Sequence, residues 1–220
     1  MSDFPKTNQN RVVRLPKRGA YDSETVYGIV DASLICHVGF VQDGKPVVIP
    51  TLHARDGDNL LLHGSAASRM IRHAGVGHDL CITITLVDGL VLARSVFHHS
   101  ANYRSAVLFG QGHMAPDAEK NRYLKMFTDK LIPGRWDDAR QPTELELKAT
   151  SVVVMPIASA SAKVRVGPPG DDEEDYALPV WAGVLPMQMQ WGAPVADPLL
   201  RAGIDLPDYV KEYIVKEYIQ

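Results

Sequence analysis

Cysteine is scarce in this 220-residue chain: Cys36 and Cys81 are the two, each inside an apolar run. That excludes a framework of several disulfides and leaves buried free thiols in a reducing compartment as the expectation. An excess of cations is lacking too, since 23 Lys and Arg face 26 Asp and Glu for a net charge of -3, so neither nucleic acid nor an anionic membrane is expected as a partner. No apolar run approaches the roughly 20 residues of a membrane span, and the first residues carry no signal-like apolar stretch; a cytoplasmic protein is expected. Neither a Gly-x-Gly-x-x-Gly turn after a strand nor a Walker loop occurs, which sets aside the dinucleotide and P-loop folds that those motifs mark.

What is present is a succession of short apolar runs separated by turns. Val47 to Arg69 orders the rest. Its β-branched run Val47-Val48-Ile49 with Thr51, the turn Asp56-Gly57-Asp58-Asn59 and the run Leu60-Leu61-Leu62 predict a hairpin. Gly64, Ser65, Ala66, Ala67 and Ser68 then leave backbone N–H groups uncovered and add hydroxyls, and Arg69 supplies a planar cation for two phosphate oxygens. The same loop can be read as a plain strand-to-helix connection whose serines cap the next helix.

In chain order, 1–18 is expected to be a loose arm, with four basic residues between Arg11 and Arg18. Asp22 caps a helix whose Val26, Ile29 and Val30 share a face. Leu34 to Val41 is a strand turned by Gln42-Asp43-Gly44-Lys45, and Arg69 to Ala74 a short helix ended by Gly75 and Gly77. Leu80 to Val87, Asp88-Gly89 and Leu90 to Phe97 read as a second hairpin. Tyr123, Leu124, Phe127 and Leu131 form the apolar stripe of a helix from Pro116 to Leu131 stopped by Pro133-Gly134. Glu144 to Lys148 is too short to assign. Ser151 to Ala158 is a strand, Asp171 to Asp175 a solvated acidic loop and Trp181 to Met187 another apolar run. Pro207 opens a last helix, within 198–220, with Val210, Tyr213, Ile214 and Tyr218 inward and Glu212 pairing with Lys216.

Six or seven strands in antiparallel hairpin succession predict a mainly β, closed or split barrel decorated by helices within a single domain, 1–220. His98 and His99, read as strand neighbours, point to opposite faces with no Cys or carboxylate at ligand spacing, so no metal site is expected.

HGSAASR at His63 to Arg69, LVDGLVLARSVFHHSANYRSAVLFG at Leu86 to Gly110 and SAKVRVGPPGDDEEDY at Ser161 to Tyr176 resemble the pyridoxamine 5'-phosphate oxidase-like proteins, in the branch close to nitroimidazole-resistance proteins. The likeness runs from about Arg18 to Met187. It implies a Greek-key split β-barrel with peripheral α-helices and a homodimer that holds FMN at the subunit interface. Ser68 and Arg69 fall where that family grips the phosphate, with Met70 in place of a lysine. His63, Gly64 and Ser65 would lie by the ribityl chain, and Ile49, Pro50 and Thr51 along the isoalloxazine. Arg104 and Ser105 stand where the family has an Arg-Gln pair reaching the flavin. Lys163, Arg165 and Trp181 resemble the segment brought by the partner subunit; Lys163 and Arg165 share a face of an extended chain and either hold an anion or pair with Asp171 to Asp175.

The activity implied is that of a flavin oxidoreductase that acts on a small molecule with electrons from NAD(P)H. Two other readings remain: a flavin carrier or sensor without turnover, and a haem-binding barrel with an axial ligand among His63, His98 and His99. FAD or a deazaflavin could stand in for FMN.

Overall fold

The computed structural model describes residues 3–217, with side chains as far as Ile214. Nine strands form one antiparallel sheet: β1 Gly19–Ala20, β2 Ile35–Gln42, β3 Lys45–Asp56, β4 Asn59–Ser65, β5 Val76–Leu92, β6 Ser100–Met114, β7 Thr150–Pro156, β8 Ser159–Arg165 and β9 Gly183–Pro186. They lie in the order β1-β8-β6-β7-β4-β3-β2-β5-β9, and a long β5–β6 pairing closes the six strands between into a ring. The result is the expected split barrel.

Helix α1, Ser23–Ala32, begins where Asp22 accepts from the Thr25 N–H at 2.7 Å. It lays Val26, Ile29 and Val30 into a core shared with Cys36, Val38, Leu60, Leu62, Ile82 and Leu108 from the inward faces of the strands. The outer face of β4 and β7 is covered instead by α3, Lys120–Leu131, whose Tyr123 and Phe127 meet Leu61, Val152 and Val154. Leu131, expected inward, is exposed, because the stripe that meets the sheet ends one turn earlier. The other helices are α2 Arg69–Ala74, α4 Arg135–Asp138, α5 Glu144–Ala149 with a Thr143–Glu146 capping box, and α6 Asp208–Glu217. In α6, Val210, Tyr213 and Ile214 are half-buried, while Tyr218 and the Lys216 side chain lie outside what is described.

The turn Asp43-Gly44, with both residues at positive φ, makes the β2–β3 hairpin. Asp88-Gly89, expected to turn a second hairpin, does not. β5 runs straight through it with a bulge between Val87 and Gly89 and pairs on both sides of the bulge with β6, which sequence reading passed over. The side chains decide this: Asp88 is held by Arg104 on β6, at 2.7 and 3.0 Å, and Gly89 lets β9 approach so closely that a Cβ there would lie 2.8 Å from the Leu185 carbonyl. The connection to β6 is a 3-10 turn at Val96–His98, so Leu90 to Phe97 is strand only as far as Leu92.

The arm expected to be loose is tied at two points. Phe4 is buried with its ring edge-on to Tyr27, and Asn10 donates to Pro5 O, Ser159 Oγ and Ala160 O. Beneath α3, the half-buried Lys130 donates from Nζ to Val30 O at 3.1 Å and lies 3.0 Å from Nε2 of the buried His53, which is itself 2.9 Å from Val30 O. Burial pushes Lys130 down to about 8 and His53 down to about 4, the ammonium adding to the effect on the imidazole. No described helix is long and apolar enough to cross a membrane.

Gly112 lets β6 pass under α2: a Cβ there would lie 2.5 Å from Ala74 O and 2.6 Å from Val153 Cγ1. Gly112→Ala is expected to lower stability by about 1–3 kcal/mol through overpacking. Urea unfolding measures it, and an unshifted midpoint refutes the close contact.

Candidate functional site

The β3–β4 hairpin does not stay zipped. Its ladder runs from Asp56↔Asn59 to His53↔Leu62 and stops. Continued, it would pair Leu52 with His63, Thr51 with Gly64 and Pro50 with Ser65. Instead β3 stays with β2 as far as Leu52↔Ile35, and β4 stays with β7 as far as Ser65↔Thr150. A slot therefore opens in the wall, with Ile49, Pro50 and Thr51 on one lip and His63, Gly64 and Ser65 on the other.

Alternation along β3 splits the first lip: Ile49 packs inward against the core, and Pro50 is exposed. Across the slot, Gly64 brings β4 close to α2, a Cβ there lying 3.1 Å from Ile71 Cγ1. The His63 ring sits 4.2 Å from that of Phe127, its Nδ1 buried without a partner, and burial holds its pKa below the ordinary histidine value. Ser65 Oγ accepts from the Ala67 N–H at 3.2 Å. Ser68 Oγ accepts from the Ile71 N–H at 3.5 Å and so caps α2. The exposed Arg69 has no carboxylate partner among the described residues. The loop thus follows the capping reading: the N–H groups of Ala66, Ala67 and Ser68, expected to be uncovered, are taken by Ala149 O, Ser65 Oγ and Ser65 O, and what is left for an anion is the base beside the cap.

The remaining sequence candidates lie elsewhere in the same chain. Arg104 and Ser105 are on β6, two places from β4 in the strand order. They point to opposite faces, Arg104 being clamped by Asp88 while Ser105 Oγ donates to Lys163 O at 3.3 Å. Lys163 and Arg165 do share a face of β8. Arg165 is buried, and its guanidinium donates to Asn102 Oδ1, Gly167 O and Pro168 O, so it folds the following loop with neutral acceptors and not with the acidic run. Trp181 is 67% exposed before β9.

The acidic run is not wholly solvated either. The Asp171 carboxylate is buried and accepts from the Arg94 and Ser95 N–H groups and from Arg94 Nη1. His98 is on the 3-10 turn, not a strand, and Asp172 lies 3.2 Å from its Nε2 with Asp175 near, contrary to the expectation that no carboxylate accompanies it. His99 Nδ1 accepts from the Ala93 N–H.

Sequence reading missed a groove of about 930 Å³ between β2, β5 and α2. His73 on α2 is sandwiched there between Phe40 at 4.6 Å and His78 at 4.3 Å, with Val48, Cys81 and Phe109 completing apolar walls. Burial, then the neighbouring His78, lowers the His73 pKa, which favours the neutral imidazole that can donate a lone pair. The available signal was two histidines five residues apart across Gly75 and Gly77.

Residues 22–164 match the model of the pyridoxamine 5'-phosphate oxidase family. Among solved structures, the chain is 41% identical to the flavocytochrome Anf3 of Azotobacter vinelandii, with a TM-score of 0.89 over 94% of this chain and 96% of that one. It is 38% identical to the FAD and heme binding protein of Mycobacterium smegmatis, with a TM-score of 0.85 over 89% and 96%. A protein described as a 5-nitroimidazole antibiotic resistance protein of Bacteroides thetaiotaomicron shares the fold at 21% identity and a TM-score of 0.55, over 66% of this chain and 86% of that one. No curated protein matches.

His63 is expected to titrate below the range of an exposed histidine, because its charged form would be desolvated against Phe127. An NMR titration of its ring signals checks this; a midpoint at or above that of a solvent-exposed histidine contradicts the burial.

Proposed function

We propose that this chain, which belongs to the pyridoxamine 5'-phosphate oxidase family, is a flavin- and haem-binding redox protein that works as a homodimer. The observation that carries the flavin reading is the slot: two diverging strands with an exposed arginine at their end that has no carboxylate partner among the described residues. The flavin is one with a 5'-phosphate, either FMN or the FMN half of FAD. The FAD and heme binding protein and the flavocytochrome that this chain resembles support the same reading and add haem to it.

When bound, the flavin supplies hydride and electron transfer and the haem one-electron exchange. The chain's own residues bind and orient. Arg69 would offer a planar fork to the phosphate, while the N–H groups of Ala66, Ala67 and Ser68 are taken by Ala149 O, Ser65 Oγ and Ser65 O and shape the loop that presents it. The backbone at Pro50 and Thr51 would border the flavin ring, and His63, whose charged form is disfavoured by burial against Phe127, would line the opposite lip. For haem, the groove would offer apolar walls and the His73 imidazole, whose lowered pKa favours the neutral form that can bind iron. His98 and His99 hold hydrogen bonds elsewhere, and His63, whose Nδ1 has no partner among the described residues, lies under Phe127 outside this groove.

The homodimer is supported by where the other basic residues lie. Lys163 is on the far side of the same barrel from the slot, so a part for it in a flavin site would belong to a neighbouring copy, whereas Arg165 is taken up by Asn102 and the loop after β8. The exposed Val41, Val48, Val87, Leu185 and Met187 supply apolar surface for that contact. The reaction is the passage of electrons from a reduced nicotinamide to a small-molecule acceptor.

Arg69→Ala removes the charge-assisted hydrogen bonds to the phosphate, each worth about 1.5–3 kcal/mol, so FMN affinity should fall roughly a hundredfold or more while riboflavin binding holds. Fluorescence quenching measures both, and unaltered FMN affinity sinks the phosphate assignment. His73→Ala should remove the Soret band from the purified protein and leave its flavin content intact; a Soret band that survives moves the axial ligand to another residue.

A further inference from the structure

Away from both the slot and the groove, a cleft of about 540 Å³ lies between α1 and the turn before β1, lined by Lys17, Arg18, Glu24, Thr25, Gly28 and Val164 among others. Its volume is in the range of small-molecule sites.

Gly28 sits in the middle of α1, where glycine costs about 0.5–1 kcal/mol relative to alanine. Elsewhere in the barrel a glycine admits a close neighbour, as Gly64 does for Ile71 and Gly112 for Ala74. Over Gly28 a Cβ would meet nothing within 4 Å. The chain itself makes no use of the missing side chain, whereas a flat group lying on the helix would.

The wall opposite is cationic. Lys17 and Arg18 stand on a 3-10 turn, Pro16–Arg18, entered through Leu15 at φ 56, a left-handed conformation that a leucine adopts at a cost. Leu15 is itself 47% exposed, so burying its side chain does not repay that strain. Among the described residues no carboxylate lies within ion-pair reach of Lys17 or Arg18. Arg18 is also near enough to disfavour the charge on Arg165, which is 8% exposed and whose Nε has no partner. Two guanidinium groups thus share one region, in a chain of net charge -3, with no ion pair to either among the described residues. Arg104 in the same wall is already neutralised by Asp88. Glu24, in the first turn of α1 and on the same cleft, is in no ion pair among the described residues and is a ready acceptor for hydroxyl groups.

We propose that the cleft over Gly28 is a subsite for an adenosine diphosphate group, with the phosphates on Lys17 and Arg18, the ribose hydroxyls on Glu24 and the base flat against α1 at Gly28. Arginine forks match phosphate oxygens, and a carboxylate accepting from ribose hydroxyls is a recurrent way to read a nucleotide. That chemistry has two sources, the ADP half of FAD and that of a nicotinamide dinucleotide. The FAD source rests on the flavin reading and deepens it, and the nicotinamide dinucleotide source goes beyond it.

The test uses the purified full-length protein as isolated, with ADP and NADH titrated calorimetrically and the released flavin identified by mass after denaturation. It is repeated for Gly28→Leu, which fills open space and should keep or raise the melting temperature, and for the surface change Arg18→Gln. If the source is a nicotinamide dinucleotide, ADP and NADH bind the unmodified protein, both variants weaken them at least tenfold, and the released flavin does not change. If the source is FAD, the unmodified protein releases FAD and takes up no ADP, and both variants lose at least nine-tenths of their FAD, while their flavin-stripped forms melt no lower than the flavin-stripped parent. Variants that match the parent in titration and in FAD content overturn the proposal, as does a parent that neither binds ADP nor contains FAD. ADP binding by a protein that holds no flavin would sink the flavin reading alone.

Discussion

β3 cannot pair with β4 and with β2 along its whole length and still close a small barrel, and it resolves the conflict by leaving β4 after His53. The six-stranded ring stays intact because β2 and β7 hold the two lips. Everything placed at the slot follows from that release. Gly64 and Ser65 are presented at a strand end and not in mid-ladder, and the chain past Ser65 is free to turn into α2. Its length is limited by Ile71, which packs over Gly64 and fixes how far α2 can stand from the wall.

Local chemistry was the legible part of this protein. Asp22 and Ser68 cap the helices that they were expected to cap, and Asp43-Gly44 turns where its backbone preference says it should. The same kind of signal misled at Asp88-Gly89, where a pair with the composition of a turn serves a bulge, because Arg104 and β9 act on it from far along the chain. β6 escaped notice for a related reason. Its alternation is interrupted by Gly110 and Gly112, and those glycines answer to Pro156 and Ala74, which no window on the sequence contains. The slot was half legible: the residues of both lips were named, but the ending of the ladder between them is a property of three strands together. The His73 groove was not, since it exists only where Phe40 from β2 meets α2.

Charge in this molecule is placed unevenly. One ammonium, Lys130, is half-buried against a histidine and a carbonyl, where its neighbours hold it by hydrogen bonds and not by ion pairing. Its partial burial outweighs the attraction of Asp31 and disfavours the charged form, so α3 is anchored by a contact that works against the ionised state of its own lysine. By contrast the Asp171 carboxylate, which is out of water, is compensated by two backbone donors and a guanidinium. The first arrangement tightens as the lysine gives up its proton, and the second loosens if the carboxylate gains one.

The free stretch of β3 along the slot carries two prolines, Pro46 and Pro50, opposite Val41 and His37. A strand that ends its pairing early leaves an edge of bare backbone, which is a template for another strand, and proline withholds the amide that such a strand would need. Pro50 sits at the middle of the lip. The opening between β3 and β4 is thereby made a poor landing place for extended peptide, so the barrel can keep a gap in its wall without inviting copies of itself to polymerise through it.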